Sequence, residues 1–264
     1  MLILKSVSKT FNPGTINEKK ALNNVSLRLK PGDFVTVIGS NGAGKSTMLN
    51  AIAGVWPIDS GSIVIDGVDV TGQPEFKRAA YIGRVFQDPM LGTAPDMQIE
   101  ENLALALRRG KRRGLKWEIS NAERKQYREQ LAGFGLGLED RLTAKVGLLS
   151  GGQRQALTLL MATVQRPKLL LLDEHTAALD PATAAKVLEL SDKLIADNEL
   201  TAMMITHNMT DAIKHGTRLI MMHEGRIILD VEGEEKKRLT KADLMEKFAE
   251  LAGSQLESDE ILLS

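Results

Sequence analysis

One stretch constrains this chain more than any other: Gly39-Ser40-Asn41-Gly42-Ala43-Gly44-Lys45-Ser46. An apolar, strand-like run from Phe34 to Ile38 precedes it, and a helix-like run from Thr47 to Ala53 follows. Glycines let successive backbone N–H groups converge on an anion, and the positive end of a helix adds to the same point. In the pattern G-x-x-x-x-G-K-[ST] the lysine reaches the β- and γ-phosphates of a nucleotide and the hydroxyl coordinates Mg²⁺. Gly39, Ser40, Asn41, Gly42, Ala43, Gly44, Lys45, Ser46 and Thr47 are therefore expected to bind a nucleotide, with Ser46 on the metal.

With 264 residues, 43% apolar and 26% charged, the chain can bury a sizeable core. Lys+Arg 34 balance Asp+Glu 34, so no global basic field marks a dedicated nucleic-acid binder, and no nucleic-acid partner is expected. A cysteine count of 0 rules out disulfides and thiolate-held metals. The four histidines, His175, His207, His215 and His223, have no metal-ligand spacing. No apolar run approaches the ~20 residues that span a bilayer, and Met1 to Phe11 lacks a signal-peptide core, so a cytoplasmic protein is expected.

Met1 to Val7 and Ala21 to Leu29 alternate apolar and polar residues as half-buried antiparallel strands do, with Asn12-Pro13-Gly14 as a turn between them. Phe11, placed in that turn, either stacks on a base or folds back on the core. Ser62 to Ile65 reads as a hairpin strand between Ser60-Gly61 and Asp66-Gly67. Tyr81 to Phe86 reads as another strand and puts the Gln87 amide at its end, within reach of a metal or a water. From Asp88 to Leu149 the patterning is helical, at Met97 to Leu107 and Ser120 to Gly133, as in a helical insertion. Its basic run, Arg108 to Lys116, is either a solvated loop tip or a surface for acidic lipid headgroups or a partner protein.

Leu149-Ser150-Gly151-Gly152-Gln153 opens a helix-spaced run from Arg154 to Gln165, where Ser150 and backbone amides can receive an anion although no lysine follows. Leu169 to Leu172 is continuously apolar, as in a strand buried on both faces, and it ends in Asp173-Glu174. Two carboxylates there need counter-charge, which a Mg²⁺–nucleotide on the glycine loop supplies. Asp180-Pro181 caps a helix to about Ala196, and Thr201 to Thr206 is a strand ending at His207. Ligands gather at the carboxyl edge of parallel strands, so Gly39 to Ser46, Gln87, Asp173, Glu174 and His207 are expected to share one site. Leu219 to Met222 and Arg226 to Asp230 flank Glu224-Gly225 as a hairpin, Thr240 with Asp243 caps a last helix to about Leu251, and Ser254 to Ser264 is a polar tail.

With these motifs in this order, the chain resembles the nucleotide-binding subunit of an ATP-binding-cassette (ABC) transporter over nearly its whole length, Leu149-Ser150-Gly151-Gly152-Gln153 being the specific element. The resemblance implies an α/β fold: a P-loop NTPase core of the ABC ATPase kind with an antiparallel β subdomain and a helical subdomain. Core and β subdomain would occupy about 1–87 and 159–240, the helical signature subdomain about 88–158, and a C-terminal helix and tail the remainder. ATP and Mg²⁺ are the implied ligands. Phe11 matches the adenine-stacking aromatic, Gln87 the metal- and water-sensing glutamine, Asp173 the magnesium carboxylate, Glu174 the catalytic carboxylate and His207 the γ-phosphate switch, with Lys45 sharing in catalysis.

By the same resemblance two subunits pack head to tail, so that Ser150 and Gly152 of one cover the nucleotide on the other, and Gly151, Gln153 and Asp180 are also expected to bind nucleotide. The implied partners are transmembrane permease subunits and a substrate-binding protein, with the chain peripheral on the inner face of the membrane. The pattern usually has Pro and Ser where this chain has His175 and Ala178, which puts local loop geometry in doubt. His207-Asn208-Met209, Met221 to Ile228 and Gly233 to Lys237 look like a bacterial importer-type subgroup of amino-acid, including aromatic amino-acid, uptake ATPases. A soluble ABC-type ATPase of DNA repair or translation usually carries a second cassette, a coiled coil or a zinc insertion, and none is here. A purely structural nucleotide-binding module is opposed by Glu174 and His207.

Overall fold

The computed structural model describes residues 1–110 and 119–252. Lys111 to Lys116 of the basic run and the polar tail from Ser254 lie outside the described residues. In chain order the strands are β1 (Leu2–Phe11), β2 (Lys19–Leu29), β3 (Phe34–Ile38), β4 (Ser60–Ile65), β5 (Val68–Asp69), β6 (Ile82–Val85), β7 (Leu169–Asp173), β8 (Ala202–Ile205), β9 (Arg218–His223) and β10 (Arg226–Glu232). The helices are α1 (Lys45–Ala53), α2 (Glu75–Arg78), α3 (Ile99–Leu107), α4 (Asn121–Ala132), α5 (Gly151–Thr163), α6 (Pro181–Asp197), α7 (Met209–Lys214), α8 (Gly233–Arg238) and α9 (Lys241–Ala252).

The strands form two sheets, an antiparallel one in the order β2-β1-β4-β5 and a larger one in the order β10-β9-β3-β8-β7-β6. In the larger sheet β9, β3, β8, β7 and β6 run parallel and β10 returns antiparallel. The apolar run of β7 behaves as its composition demands. Leu169 and Leu171 join a core with α1 and the antiparallel sheet, whereas Leu170 and Leu172 join a second core with α5 and α6. A third core holds Ile99, Leu103, Tyr127, Leu131, Leu149 and Leu157 of the helical part, and a fourth holds Met221, Leu244 and Phe248 between β9 and α9.

Two buried cations set how the helices end. The Arg78 guanidinium, 2% exposed, donates to Ala51 O at 2.7 Å and Ile52 O at 2.8 Å, the last carbonyls of α1, and to Gln73 O and Thr71 O. A helix leaves its final carbonyls without intrahelical partners and carries partial negative charge there, so a cation satisfies both needs. Lys236 of α8 is buried likewise and donates to Gly216 O at 2.9 Å and to the carbonyl of His215. Burial lowers its pKa from 10.5 to about 8, against the pull of Asp192.

Arg78→Met takes a donor from four carbonyls, of which Ala51 O keeps the Gly54 N–H, and should lower the urea-unfolding free energy by about 3 kcal/mol; a loss under about 1 kcal/mol would show that they find other partners. Lys236 gives a pH signature. Below pH 8 both folded and unfolded chains carry its proton and the burial cost is fully felt. Above pH 8 only the unfolded chain keeps the proton, so stability should climb towards pH 10.5 by about 3 kcal/mol, and Lys236→Met should flatten that climb.

Candidate active site at the carboxyl edge of the large sheet

Because β3, β8, β7 and β6 are neighbours and parallel, the segments leaving them lie side by side. These are the glycine loop, His207, Asp173-Glu174 and Gln87. The loop itself is shaped by close backbone approach. Gly39 has φ 146, and a Cβ there would fall on the carbonyl oxygen of Met222. Gly44, the N-cap of α1 at φ 102, lies against the carbonyl of Ala21 in the same way. Lys45 is buried, with Nζ donating to Gly39 O at 2.5 Å and Ser40 O at 3.0 Å. Burial lowers its pKa, while the Glu174 and Asp173 carboxylates oppose the shift. Asn41, Gly42 and Ser46 are exposed, and Thr47 is half-buried.

Glu174 lies 2.5 Å from His207 Nε2 and adopts a left-handed backbone, φ 45. Asp173 pairs with Arg84 at 3.3 Å, and the same guanidinium nitrogen donates to Asn50 Oδ1 at 2.7 Å. Burial raises the Asp173 pKa, and Arg84 pulls it back. Gln87 is exposed and lines a cleft of ≈ 630 Å³ with Asn50, Arg84 and Asp173. The Ser46 hydroxyl, the Gln87 amide oxygen and the Asp173 carboxylate are hard oxygen donors that suit Mg²⁺. Among the described residues no group of three or more His, Cys, Asp or Glu could hold a metal alone. Such a sparse set fits an ion that keeps waters and shares nucleotide phosphates.

Phe11 differs in placement from the sequence reading. It is the last residue of β1, paired with Lys19, and its ring meets Trp56 edge-on at 4.9 Å, half-buried. Ser150 caps α5, accepting from Gln153 N at 3.3 Å, while Gln153 Oε1 accepts from Ser150 N in a capping box. That helix therefore starts at Gly151, earlier than the apolar spacing from Arg154 suggested. Asp180 caps α6 through Thr183 N at 3.0 Å, and its hydrogen bonds with Thr183 hold its pKa down. Ser150, Gly152 and Gln153 share a cleft of ≈ 490 Å³ with Thr183 and Lys186. Leu149 roots this loop in the helical core, whereas Ala43 and Met48 root the glycine loop in the first core.

Sequence reasoning missed Arg84, Asn50 and Lys19. Arg84 had a signal, a lone charge inside the apolar run from Tyr81 to Phe86. Lys19 had none: its ammonium lies 2.8 Å from where a Gly42 Cβ would stand, across a register only the folded hairpin creates. Of the basic run, Arg108 is paired with Glu123 at 2.9 Å.

The sequence profile of the ABC transporter family matches residues 22–177. The chain is 46% identical over 249 residues to a tyrosine transport ATP-binding protein of Clostridioides difficile, covering 94% of this chain and 98% of that protein. It is 35% identical over 229 residues to an aliphatic sulfonates import ATP-binding protein of Albidiferax ferrireducens, covering 87% and 73%. Among solved structures, the dimeric post-hydrolysis state of the ATP-binding cassette MJ0796 bound to ADP and Pi superposes with TM-score 0.74 at 31% identity, over 88% of this chain and 98% of that one. The chain belongs to the ABC transporter family. It is an ATP-binding subunit of that family and an ATPase.

Gly152 has a packing reason to lack a side chain, since a Cβ would collide with the Thr183 methyl group of α6. Gly152→Ala should cost about 1–3 kcal/mol of stability, and adding Thr183→Ser, which removes that methyl, should return most of it. Equal melting of the single and double variants would place the strain elsewhere.

Proposed function

We propose that this chain hydrolyses ATP to drive uptake of an amino acid of the tyrosine type, as a head-to-tail homodimer beneath separate membrane subunits. The substrate class rests on 46% identity across 98% of a tyrosine transport ATP-binding protein. The residue roles rest on the convergence of Lys45, Asp173, Glu174 and His207 at one sheet edge, with Glu174 and His207 at 2.5 Å.

Lys45 exchanges the carbonyls of Gly39 and Ser40 for β- and γ-phosphate oxygens, and the loop N–H groups hold the rest of the charge. Ser46, Gln87 and Asp173 would hold Mg²⁺, which when bound would supply positive charge to the phosphates. Glu174 orients a water and takes its proton as the water oxygen bonds to the γ-phosphorus and the bond to the β-phosphate oxygen breaks. His207 steadies the γ-phosphate, and Phe11, braced by Trp56, flanks the base. Ser150, Gly151, Gly152, Gln153 and Asp180 face the nucleotide of the second subunit. That placement accounts for an anion-receiving helix start rooted in a different core from the glycine loop.

Among the described residues no helix is long and apolar enough to cross a membrane. Attachment to the inner face of the membrane would therefore come through partners. A cleft of ≈ 440 Å³ between α3, β6 and α5 offers a dock for the permease, lined by Leu91, Leu105, Glu75 and Arg109, with Leu91 70% exposed. Residues of about 88–158 would carry movement between that dock and the nucleotide, and a substrate-binding protein would deliver the solute outside.

Glu174→Gln should keep ATP affinity and lose at least about 100-fold in turnover; near-normal turnover in that variant would overturn the proton-acceptor role. Ser150→Arg and Lys45→Ala should each be inactive alone and regain activity when mixed, since a heterodimer holds one intact composite site. Failure of the mixture to recover would end the shared-site reading. Cells lacking this chain should lose labelled tyrosine uptake, and undiminished uptake would exclude that substrate.

A further inference from the structure

Behind the Glu174–His207 pair lies a polar chain that the hydrolytic roles leave unused, buried at His175, Ser191 and His215 and half-exposed at Asp192. His175 follows Glu174 directly, is 2% exposed, and has Nε2 at 3.0 Å from Ser191 Oγ. The Ser191 hydroxyl gives its one proton to Val187 O at 2.8 Å, so His175 must be the donor to Ser191, as the Nε2–H tautomer. The next residue on α6, Asp192, binds Nδ1 of His215 at 2.6 Å, and His215 is itself 2% exposed. His215 ends α7, and α7 starts two residues after His207, with Asn208 capping it through Thr210 N and Asp211 N. The far side of His215 is fixed by Lys236, which donates to its carbonyl.

Glu174 needs such support. A left-handed non-glycine residue is strained and persists only where its surroundings over-determine it. On its N-terminal side the Glu174 N–H bonds Ile205 O at 3.1 Å, and on its C-terminal side the His175 ring is anchored to α6. A proline at 175 would stiffen this turn with its ring; here a hydrogen bond to a helix takes that place.

We propose that α6 braces both members of the pair: Ser191, through His175, sets the backbone of Glu174, and Asp192, through His215, sets the helix behind His207. His175, Ser191, Asp192 and His215 are then positioning residues, and the proposal rests on the hydrolytic roles given above to Glu174 and His207.

Steady-state ATPase assays on the full chain test it. Ser191→Ala and Asp192→Asn should each lower kcat by about 10-fold with ATP affinity and KM within about twofold, since small misplacements at a reacting centre cost rate. His175→Gln, whose amide nitrogen reaches the Nε2 position, should restore most of the kcat that His175→Ala loses. Only four histidines are present, so ¹³C-labelled rings give four assignable NMR signals. In Ser191→Ala the His207 signal should move as well as that of His175. A kcat within twofold of the parent with a stationary His207 signal overturns the brace. So does a fall in kcat matched by an equal loss of ATP affinity, or His175→Gln performing no better than His175→Ala. Glu174→Gln separates the two readings: turnover in that variant defeats the hydrolytic assignment, whereas an inert Glu174→Gln beside a fully active Ser191→Ala defeats the brace alone.

Discussion

Negative charge at the end of an apolar strand is the condition on which this structure depends. The four leucines of β7 fill two cores, which forces cover on both faces of the large sheet. Yet the strand ends in two carboxylates whose side chains are only 16% and 10% exposed. Charge that little hydrated is stable only beside opposite charge. Arg84 comes from β6, Lys45 from the helix after β3, and His207, which meets Glu174, from the segment after β8. Of these strands β6 and β8 flank β7 directly, and β3 lies one strand beyond β8.

The helix that opens at the glycine loop is held at both ends by different means. At its start the backbone is pressed against Ala21 and Met222, where only glycine fits. At its finish Arg78 takes two carbonyls. Contacts at both termini fix where the helix starts and ends, which suits a loop that has to keep its N–H groups aimed at one point.

Local chemistry was legible in the sequence wherever the signal is short-range. The glycine loop, the cap at Asp180, the hairpin at Glu224-Gly225 and the two-faced run from Leu169 to Leu172 all specify themselves within a few residues. The strand order and the buried cations Arg78 and Lys236 were not legible. Each depends on pairing across long sequence separation, as with Arg78 and Ala51. A lone arginine in a sequence looks the same whether it ends in water or in a helix terminus. His175 was visible as a departure from the family pattern, but its partner Ser191 was an unmarked residue in a helix.

The stitching of the glycine loop to the last hairpin bears on how the protein is made. Gly225 N–H bonds Ala43 O at 2.9 Å, and β9 lies directly against β3. The loop leaves the ribosome early, whereas its wall is among the last parts of the fold to emerge. A nascent or truncated chain ending before Met222 carries every residue of the phosphate-binding motif and lacks the surface that shapes it.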